Sequence, residues 1–385
     1  APYCGPSRAG IMTGRYQQRH GFWNNPSYRP DNHSMGLDVE EETMASLLNR
    51  AGYRTAAIGK WHMGASASFH PNNRGFDDFF GFLGGGHYYF PADYDDYNDR
   101  WANSGRHFNP EIYSYTTPIE HNGVDLHFKD GYLTDIFTNY AIDFVNRYNE
   151  HPFFLYLSYN APHTPLEAPD EYLDMYSHIK DKNRRIYAAM VTNLDYNVGR
   201  FLDHLAKIGV EKSTLVVFIS DNGGPENKGA NNGPLRGGKA QTWEGGVRVP
   251  FIISWPGKIP EDKVINEAVS SLNLFPTFAQ IADIQPNGKP LDGKNILPWI
   301  TGDETKPVHD LLFWENEELF GIRQGEWKMV RLQNDSQWVL TDLSKDIGEK
   351  NDLSDKQQEK VKYMDLLFEQ WYNSLEPKRW LDPGR

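Results

Sequence analysis

Two hydropathy textures divide the chain. In the longer part, helical and strand patterns alternate. Met44, Leu47 and Leu48 lie on one face of a helix predicted within 40–51, ahead of Gly52, and residues 54–58 then read as a strand ending at Gly59-Lys60. Leu133, Ile136, Phe137, Tyr140, Phe144 and Val145 recur at helical spacing over 133–148, and the unbroken apolar run 153–159 follows as a buried strand. A third helical pattern over 184–207, carried by Met190, Leu194, Val198, Phe201 and Leu205, leads into the β-branched run 215–219, which Asp221-Asn222-Gly223-Gly224 closes. Near the start, residues 6–13 form a short helix candidate with Pro6 at its first turn and Gly14 placed to end it, which sets Cys4 at the positive helix terminus. Alternating helices and wholly apolar strands predict an α/β fold: a large, mainly parallel mixed sheet sandwiched by helices.

Beyond a Pro/Gly-rich stretch at 285–307 the texture changes to short amphipathic strands at 311–315, 320–323, 327–332 and 338–343, then a helix near 355–374. This predicts a smaller antiparallel sheet with a helix, and with it an α/β catalytic domain over 1–305 and a C-terminal α+β subdomain over 306–385. Residues 84–131, rich in Gly, Tyr, Asp and Asn and weakly periodic, read as a long surface excursion near a site.

Composition narrows the function. A formal charge of -13 and a pI near 5.5 argue against a nucleic-acid partner, which requires a basic face. No run approaches the ~18 apolar residues of a membrane span. The single cysteine excludes an internal disulfide framework. The chain opens Ala1-Pro2-Tyr3-Cys4, with neither a start methionine nor a signal peptide from which to read a compartment.

Groups suited to anion chemistry cluster just after the predicted strands: Lys60 and His62 after the first, His163 after the second, Asp221 and Asn222 after the third. In an open parallel sheet those carboxyl ends share a rim where ligands bind. Singly, each has an ordinary explanation. Asp-Asn-Gly-Gly is a good turn, Lys60 a solvated strand-end lysine, His163 the cap of a rigid loop between Pro162 and Pro165, Arg8 a surface residue and Cys4 a small buried hydrophobe. Together they form a pattern. Cys4-Gly5-Pro6-Ser7-Arg8, continuing to Met12-Thr13-Gly14-Arg15, resembles the Cys-x-Pro-Ser-Arg signature of type I sulfatases, in the alkaline phosphatase superfamily. The same resemblance runs through residues 59–64, 162–165, 220–224 and 244–250, with Lys239 between the last two, and reaches Ile322-Arg323, Trp327-Lys328 and 343–353.

The resemblance implies a sulfuric ester hydrolase whose nucleophile is a formylglycine made from Cys4 by a maturation enzyme. It implies Ca2+ held by Asp221 and Asn222, with two further aspartates from a first strand preceding this chain, and so an expectation that the opening strand is missing. Physical reasons can be given for the neighbours. Cationic groups, Arg8 among them, stabilise a nucleophilic oxygen; Lys60 and Lys239 suit a sulfuryl group in flight; His163 is the choice for the acid that protonates the leaving sugar oxygen. By similarity, His62 takes the proton from the second hydroxyl.

Trp23, Asn24, His87, Tyr88, Tyr89 and Trp243 are candidates for a sugar-binding cleft; packing aromatics are the competing explanation. A sulfated polysaccharide or its oligosaccharides is the expected substrate, as in bacterial polysaccharide sulfatases, with a periplasmic or secreted location. Two alternatives stay open: a phosphonate or phosphate ester hydrolase of the same superfamily, and a non-catalytic sulfated-glycan-binding relative.

Overall fold

The computed structural model describes residues 1–91, 115–317, 319–332 and 337–380. These fall into two compact units, one made of 1–25, 214–281 and 288–380, the other of 26–213 and 282–287. In chain order the helices are α1 (Cys4–Thr13), α2 (Met44–Arg50), α3 (Leu133–Tyr148), α4 (Asp170–Met175), α5 (Lys182–Lys207), α6 (Glu244–Val247), α7 (Leu274–Ile281), α8 (Leu297–Thr301) and α9 (Gln358–Tyr372). The strands are β1 (Arg54–Lys60), β2 (Asp78–Phe82), β3 (Ile119–His121), β4 (Val124–Leu126), β5 (Phe153–Ser158), β6 (Val216–Ile219), β7 (Phe251–Ser254), β8 (Leu312–Asn316), β9 (Leu319–Gln324), β10 (Trp327–Arg331) and β11 (Val339–Asp342).

The unit holding β1 is built on a five-stranded mixed sheet in the order β4-β3-β2-β1-β5. Strand β1 runs parallel to both β2 and β5, whereas β2, β3 and β4 pair antiparallel. Thr43 starts α2 through a reciprocal capping box: its hydroxyl accepts from the Ser46 amide at 3.1 Å, and Ser46 Oγ accepts from the Thr43 amide at 3.0 Å. Helix α2 then delivers the chain into β1, buried from Thr55 onward. Helix α3 covers β1, β2 and β5 with Leu133, Phe137, Ala141, Phe144 and Val145, a stripe at helical spacing.

The other unit contains α1, with all ten residues buried and packed against α7, together with two sheets. Gly14 ends the helix in a left-handed conformation, its N–H donating to Gly10 O at 2.9 Å. Strands β6 and β7 pair antiparallel as a two-stranded sheet, and β11-β10-β9-β8 form a four-stranded antiparallel sheet. Met364, Phe368 and Trp371 of α9, spaced by four and three residues, close over Phe320, Ile322, Met329 and Leu340.

The α/β class and the separate C-terminal sheet agree with the hydropathy pattern. The strand expected at 215–219 does not: it joins β7 antiparallel rather than extending a parallel sheet. Nor is the strand buried on both faces as its apolar run suggested, since Phe218 is 40% exposed and the rest of β6 is half-buried; periodicity carries no information on strand direction or on which partner covers the run. The expected excursion at 84–131 lies partly outside the described residues; within it, 119–126 fold as the β3–β4 hairpin.

One buried carboxyl gives the unit containing the four-stranded sheet a pH dependence. Glu315 on β8 is 2% exposed, and its Oε2 accepts from Gln18 Nε2 at 3.3 Å. Burial, only partly offset by Lys378 and by the Gln18 hydrogen bond, pushes its pKa from 4.5 up to about 8. The folded chain therefore binds more protons than the unfolded chain between those values, and stability falls as pH rises through that window. Denaturant unfolding at the two ends of the window should show the parent losing a few kcal/mol more than Glu315→Gln. Equal pH dependence in the two proteins would contradict the assignment.

Candidate active site

Cys4 is the first residue of α1, 2% exposed, where helix amides and the dipole favour negative charge. Asn25 Oδ1 accepts from the Gly5 amide at 2.8 Å, and Ser7 Oγ donates to Ala1 O at 2.6 Å, so side chains secure the turn that carries the cysteine. Lys239 hydrogen-bonds to the Cys4 side chain. Burial alone would lower the Lys239 pKa; Cys4 and Asp221 outweigh it and hold the ammonium above its ordinary value. Its Nζ also lies 5.6 Å from the centre of the Tyr3 ring. Arg8, one helical turn from Cys4 and 5% exposed, donates from Nε at 3.0 Å to Asp221 Oδ2, with Nη2 2.9 Å from the same oxygen. One unit thus assembles Cys4, Arg8, Lys239 and Asp221 from segments more than 200 residues apart in the chain.

Asn222 follows Asp221 just past β6. Its Nδ2 donates to Gly223 O at 2.9 Å, while Oδ1 is buried with no hydrogen-bond partner. An uncompensated buried oxygen beside a carboxylate suits a hard cation in kind. Among the described residues, no group of three or more His, Cys, Asp and Glu side chains gathers to complete such a site.

The segment carrying Lys239 is held from several directions. Gly223 is required by a close approach: a Cβ there would lie 1.7 Å from Gly245 O. The Asn232 amide ties the turn, accepting from the Gly224 amide at 3.0 Å and donating to Gly224 O at 2.9 Å. Beneath it, Lys328 Nζ on β10 is fully buried, 2.7 Å from Glu244 Oε1 and 3.5 Å from Glu349 Oε1. Burial would raise both carboxyls; at Glu244 the Lys328 charge reverses this and holds the group below its ordinary value, whereas at Glu349 burial prevails and raises it. Glu349 Oε2 also accepts from the Glu244 amide at 2.7 Å.

The other unit carries Lys60, His62 and His163. Lys60 ends β1, its carbonyl accepting from Ser158 Oγ at 2.8 Å, and is 2% exposed. His62 has φ 59, a left-handed conformation uncommon for a non-glycine residue, and its amide donates to Leu83 O at 3.2 Å. His163 Nδ1 lies 2.7 Å from Thr164 O. A carbonyl only accepts, so Nδ1 carries the proton and Nε2 is the nitrogen left for proton exchange. Tyr89 Oη donates to His163 O at 2.9 Å, tying that loop to the segment after β2.

Gly85 and Gly86 in that segment escaped the sequence reading. A Cβ at Gly85 would stand 2.9 Å from His62 Nε2, and one at Gly86 would stand 2.4 Å from Tyr115 Cε1 and 3.4 Å from His163 Nδ1. The signal was present as the run Gly84-Gly85-Gly86. Of the cleft candidates, Trp23, Asn24, His87, Tyr89 and Trp243 are all buried, and Tyr88 alone is half-buried. Trp23 Nε1 donates to Glu376 O at 2.9 Å; both ring nitrogens of His87 face main-chain carbonyls, of Tyr88 at 2.7 Å and Thr117 at 3.0 Å; Trp243 lies beneath the Arg236 guanidinium at 3.8 Å. These contacts anchor Trp23, His87 and Trp243, Asn24 is buried with its Oδ1 lacking a hydrogen-bond partner, and Tyr88 has the most exposed surface of the six.

A cysteine buried at the N-terminal end of a helix, against a lysine and an arginine–aspartate pair, is an arrangement suited to anion chemistry. The chain belongs to the sulfatase family, whose model matches residues 1–284; a second model, described as N-sulphoglucosamine sulphohydrolase, C-terminal, matches 238–372. The N-acetylgalactosamine-6-sulfatase of Canis lupus familiaris is 31% identical over 347 residues, covering 85% of this chain and 62% of that protein. The steryl-sulfatase of Rattus norvegicus is 31% identical over 387 residues, covering 81% and 64%. This chain therefore spans less than two thirds of either relative. The crystal structure of Ps i-CgsB in complex with k-i-k-neocarrahexaose superposes with a TM-score of 0.90 at 39% identity, covering 99% of this chain and 84% of that one.

The shared lysine makes a sharp stability prediction. Lys328→Met strands two buried carboxyls and should cost about 3–5 kcal/mol in denaturant unfolding. Adding Glu244→Gln should recover at least about 1 kcal/mol of that, because the partners are coupled. Strict additivity of the two substitutions would show that the ion pair is not a unit.

Proposed function

We propose that the protein is a formylglycine-dependent sulfatase that hydrolyses sulfate monoesters of a sulfated polysaccharide or its oligosaccharides. One observation carries the reading: the side chain of Cys4, at the N-terminal end of a buried helix, receives the Lys239 ammonium, with Arg8 and Asp221 paired one turn away. The carbohydrate class is supported by Ps i-CgsB, which shares 39% identity across 99% of this chain and was solved with a neocarrahexaose. Maturation of Cys4 by a formylglycine-generating enzyme and a periplasmic or secreted location complete the proposal. Among the described residues no helix is long and apolar enough to cross a membrane.

In this reading Cys4 Sγ marks where an oxygen of the mature residue stands. Formylglycine would supply a hydrated aldehyde as nucleophile toward sulfur, and Ca2+ at Asp221 and Asn222 would add positive charge beside it. Lys239 and Arg8 act by preorganised charge: Lys239, half-buried, already faces the side chain of residue 4, and Arg8, buried and held by Asp221, stands one helical turn away, so little solvent reorganises as charge develops. Lys60 is assigned to the sulfuryl oxygens. His163, oriented through its Nδ1–H, is assigned to protonate the departing sugar oxygen from Nε2, and His62 to take a proton when sulfate leaves.

Two measurements test this. After co-expression with a formylglycine-generating enzyme, the peptide containing Cys4 should carry an aldehyde by mass spectrometry, and Cys4→Ala should abolish turnover while leaving the circular dichroism unchanged; full activity with unmodified Cys4 would refute the nucleophile. His163→Ala should slow hydrolysis of a sugar sulfate by ~10²–10⁴ and largely spare a nitrophenyl sulfate, whose leaving group needs no proton. Equal losses on both substrates would give His163 a sulfate-holding role instead.

A further inference from the structure

Ala240, the residue after Lys239, has φ 71, a left-handed conformation that a side chain with a Cβ adopts rarely. Such a conformation persists only where the surroundings determine it. Two hydrogen bonds of its own main chain hold it: the Ala240 amide donates to Pro2 O at 2.8 Å, and the Ala240 carbonyl accepts from Asn316 Nδ2 at 2.8 Å; the neighbouring Gln241 amide adds a bond to Gly238 O at 3.0 Å. The first bond reaches the segment that carries Cys4. The second comes from the last residue of β8, in the four-stranded sheet, where Asn316 is 6% exposed. Two further bonds join that sheet to the same segment: Thr242 Oγ1 donates to Phe320 O at 3.0 Å, and Lys328 Nζ to Glu244 Oε1 at 2.7 Å.

We propose that Asn316 is a positioning residue for the reaction: by holding the Ala240 carbonyl it keeps the backbone turned so that the Lys239 ammonium stays against residue 4. Asn316 touches neither Cys4 nor Lys239 in this role; it acts through the turn between them. Thr242 and Lys328 anchor the segment further along and cannot fix the rotation at Ala240 itself. The proposal rests on the sulfatase reading for its kinetic consequence, but not for its structural one.

The test uses Asn316→Leu, close in shape and without the amide, together with Ala240→Gly, which reaches the left-handed conformation without a Cβ penalty. Turnover of nitrophenyl sulfate and hydrogen exchange of peptides covering 236–246 are measured on the parent, both single variants and the double variant. Asn316→Leu should raise exchange in 236–246 by about tenfold while α9 and the five-stranded sheet keep their protection. It should lower kcat by ~10² with little change in KM, since a misplaced charge costs more at the transition state than in binding. Ala240→Gly added to it should recover most of the lost kcat. Unchanged exchange in 236–246, faster exchange spread equally over α9, or no recovery in the double variant would each overturn the proposal. If Asn316→Leu does not fold, Asn316→Ser carries the same expectations. A parent that does not turn over nitrophenyl sulfate, with the exchange pattern as expected, would sink the sulfatase reading and the kinetic role with it, and leave standing only the structural hold of Asn316 on the segment of Lys239.

Discussion

The hydrogen bond between the Lys239 ammonium and the side chain of Cys4 is the interaction on which the proposed chemistry rests. A half-buried ammonium that has given up part of its water is costly unless negative or strongly polar partners face it, and here Cys4 and Asp221 more than compensate for that loss. That compensation makes the pair useful. In the proposed reaction the cation already stands where negative charge would develop, so its partial desolvation belongs to folding and is not repeated at each turnover. Arg8 follows the same logic: paired to Asp221 and 5% exposed, it presents its charge beside the helix terminus without a solvent shell to shed.

Holding such a pair demands a rigid frame, which the C-terminal sheet supplies. Lys328, shared by Glu244 and Glu349, is a poor source of net stability, because burying three ionisable groups consumes most of what their attraction returns. Its value lies in geometry: unlike an apolar contact, it tolerates little sliding of the segment after Lys239 against β10. The close glycine contact between residues 223 and 245 adds a second constraint, since backbone packed against backbone has no side chain to yield. A match to a C-terminal sulfohydrolase model that begins at residue 238 has a physical counterpart here: the lysine segment and the sheet are hydrogen-bonded into one body.

The histidines of the other unit are prepared by different means. The Thr164 carbonyl sets the tautomer of His163, and glycine at 85 and 86 lets the chain pass directly against His62 and His163. His62 is itself in a left-handed backbone conformation, the kind of local strain that tends to survive at functional positions. His87, by contrast, is a buried scaffold residue: its pKa is lowered to about 4 by burial, and both nitrogens face main-chain carbonyls.

How much could be read without coordinates divides along the range of the interactions. Helix α3 spans the predicted 133–148, α1 ends at the expected Gly14, and the four C-terminal strands and their helix fall within a few residues of the hydropathy pattern, because each of these depends on local periodicity and capping. The family was legible too, since Cys4-Gly5-Pro6-Ser7-Arg8 is local in sequence. The direction of β6, its pairing with β7, and the short strand β2 with its internal Gly81 were not, because strand partners are chosen by contacts between distant segments. Nor could any spacing rule join Arg8 to Asp221, Asn316 to Ala240, or Lys328 to Glu244 and Glu349. The sequence by itself determined the family and nominated the residues for the chemistry; only the tertiary structure decided what holds the segment of Lys239 in place, because a hydrogen bond between distant segments is selected by packing in three dimensions and leaves no period along the chain.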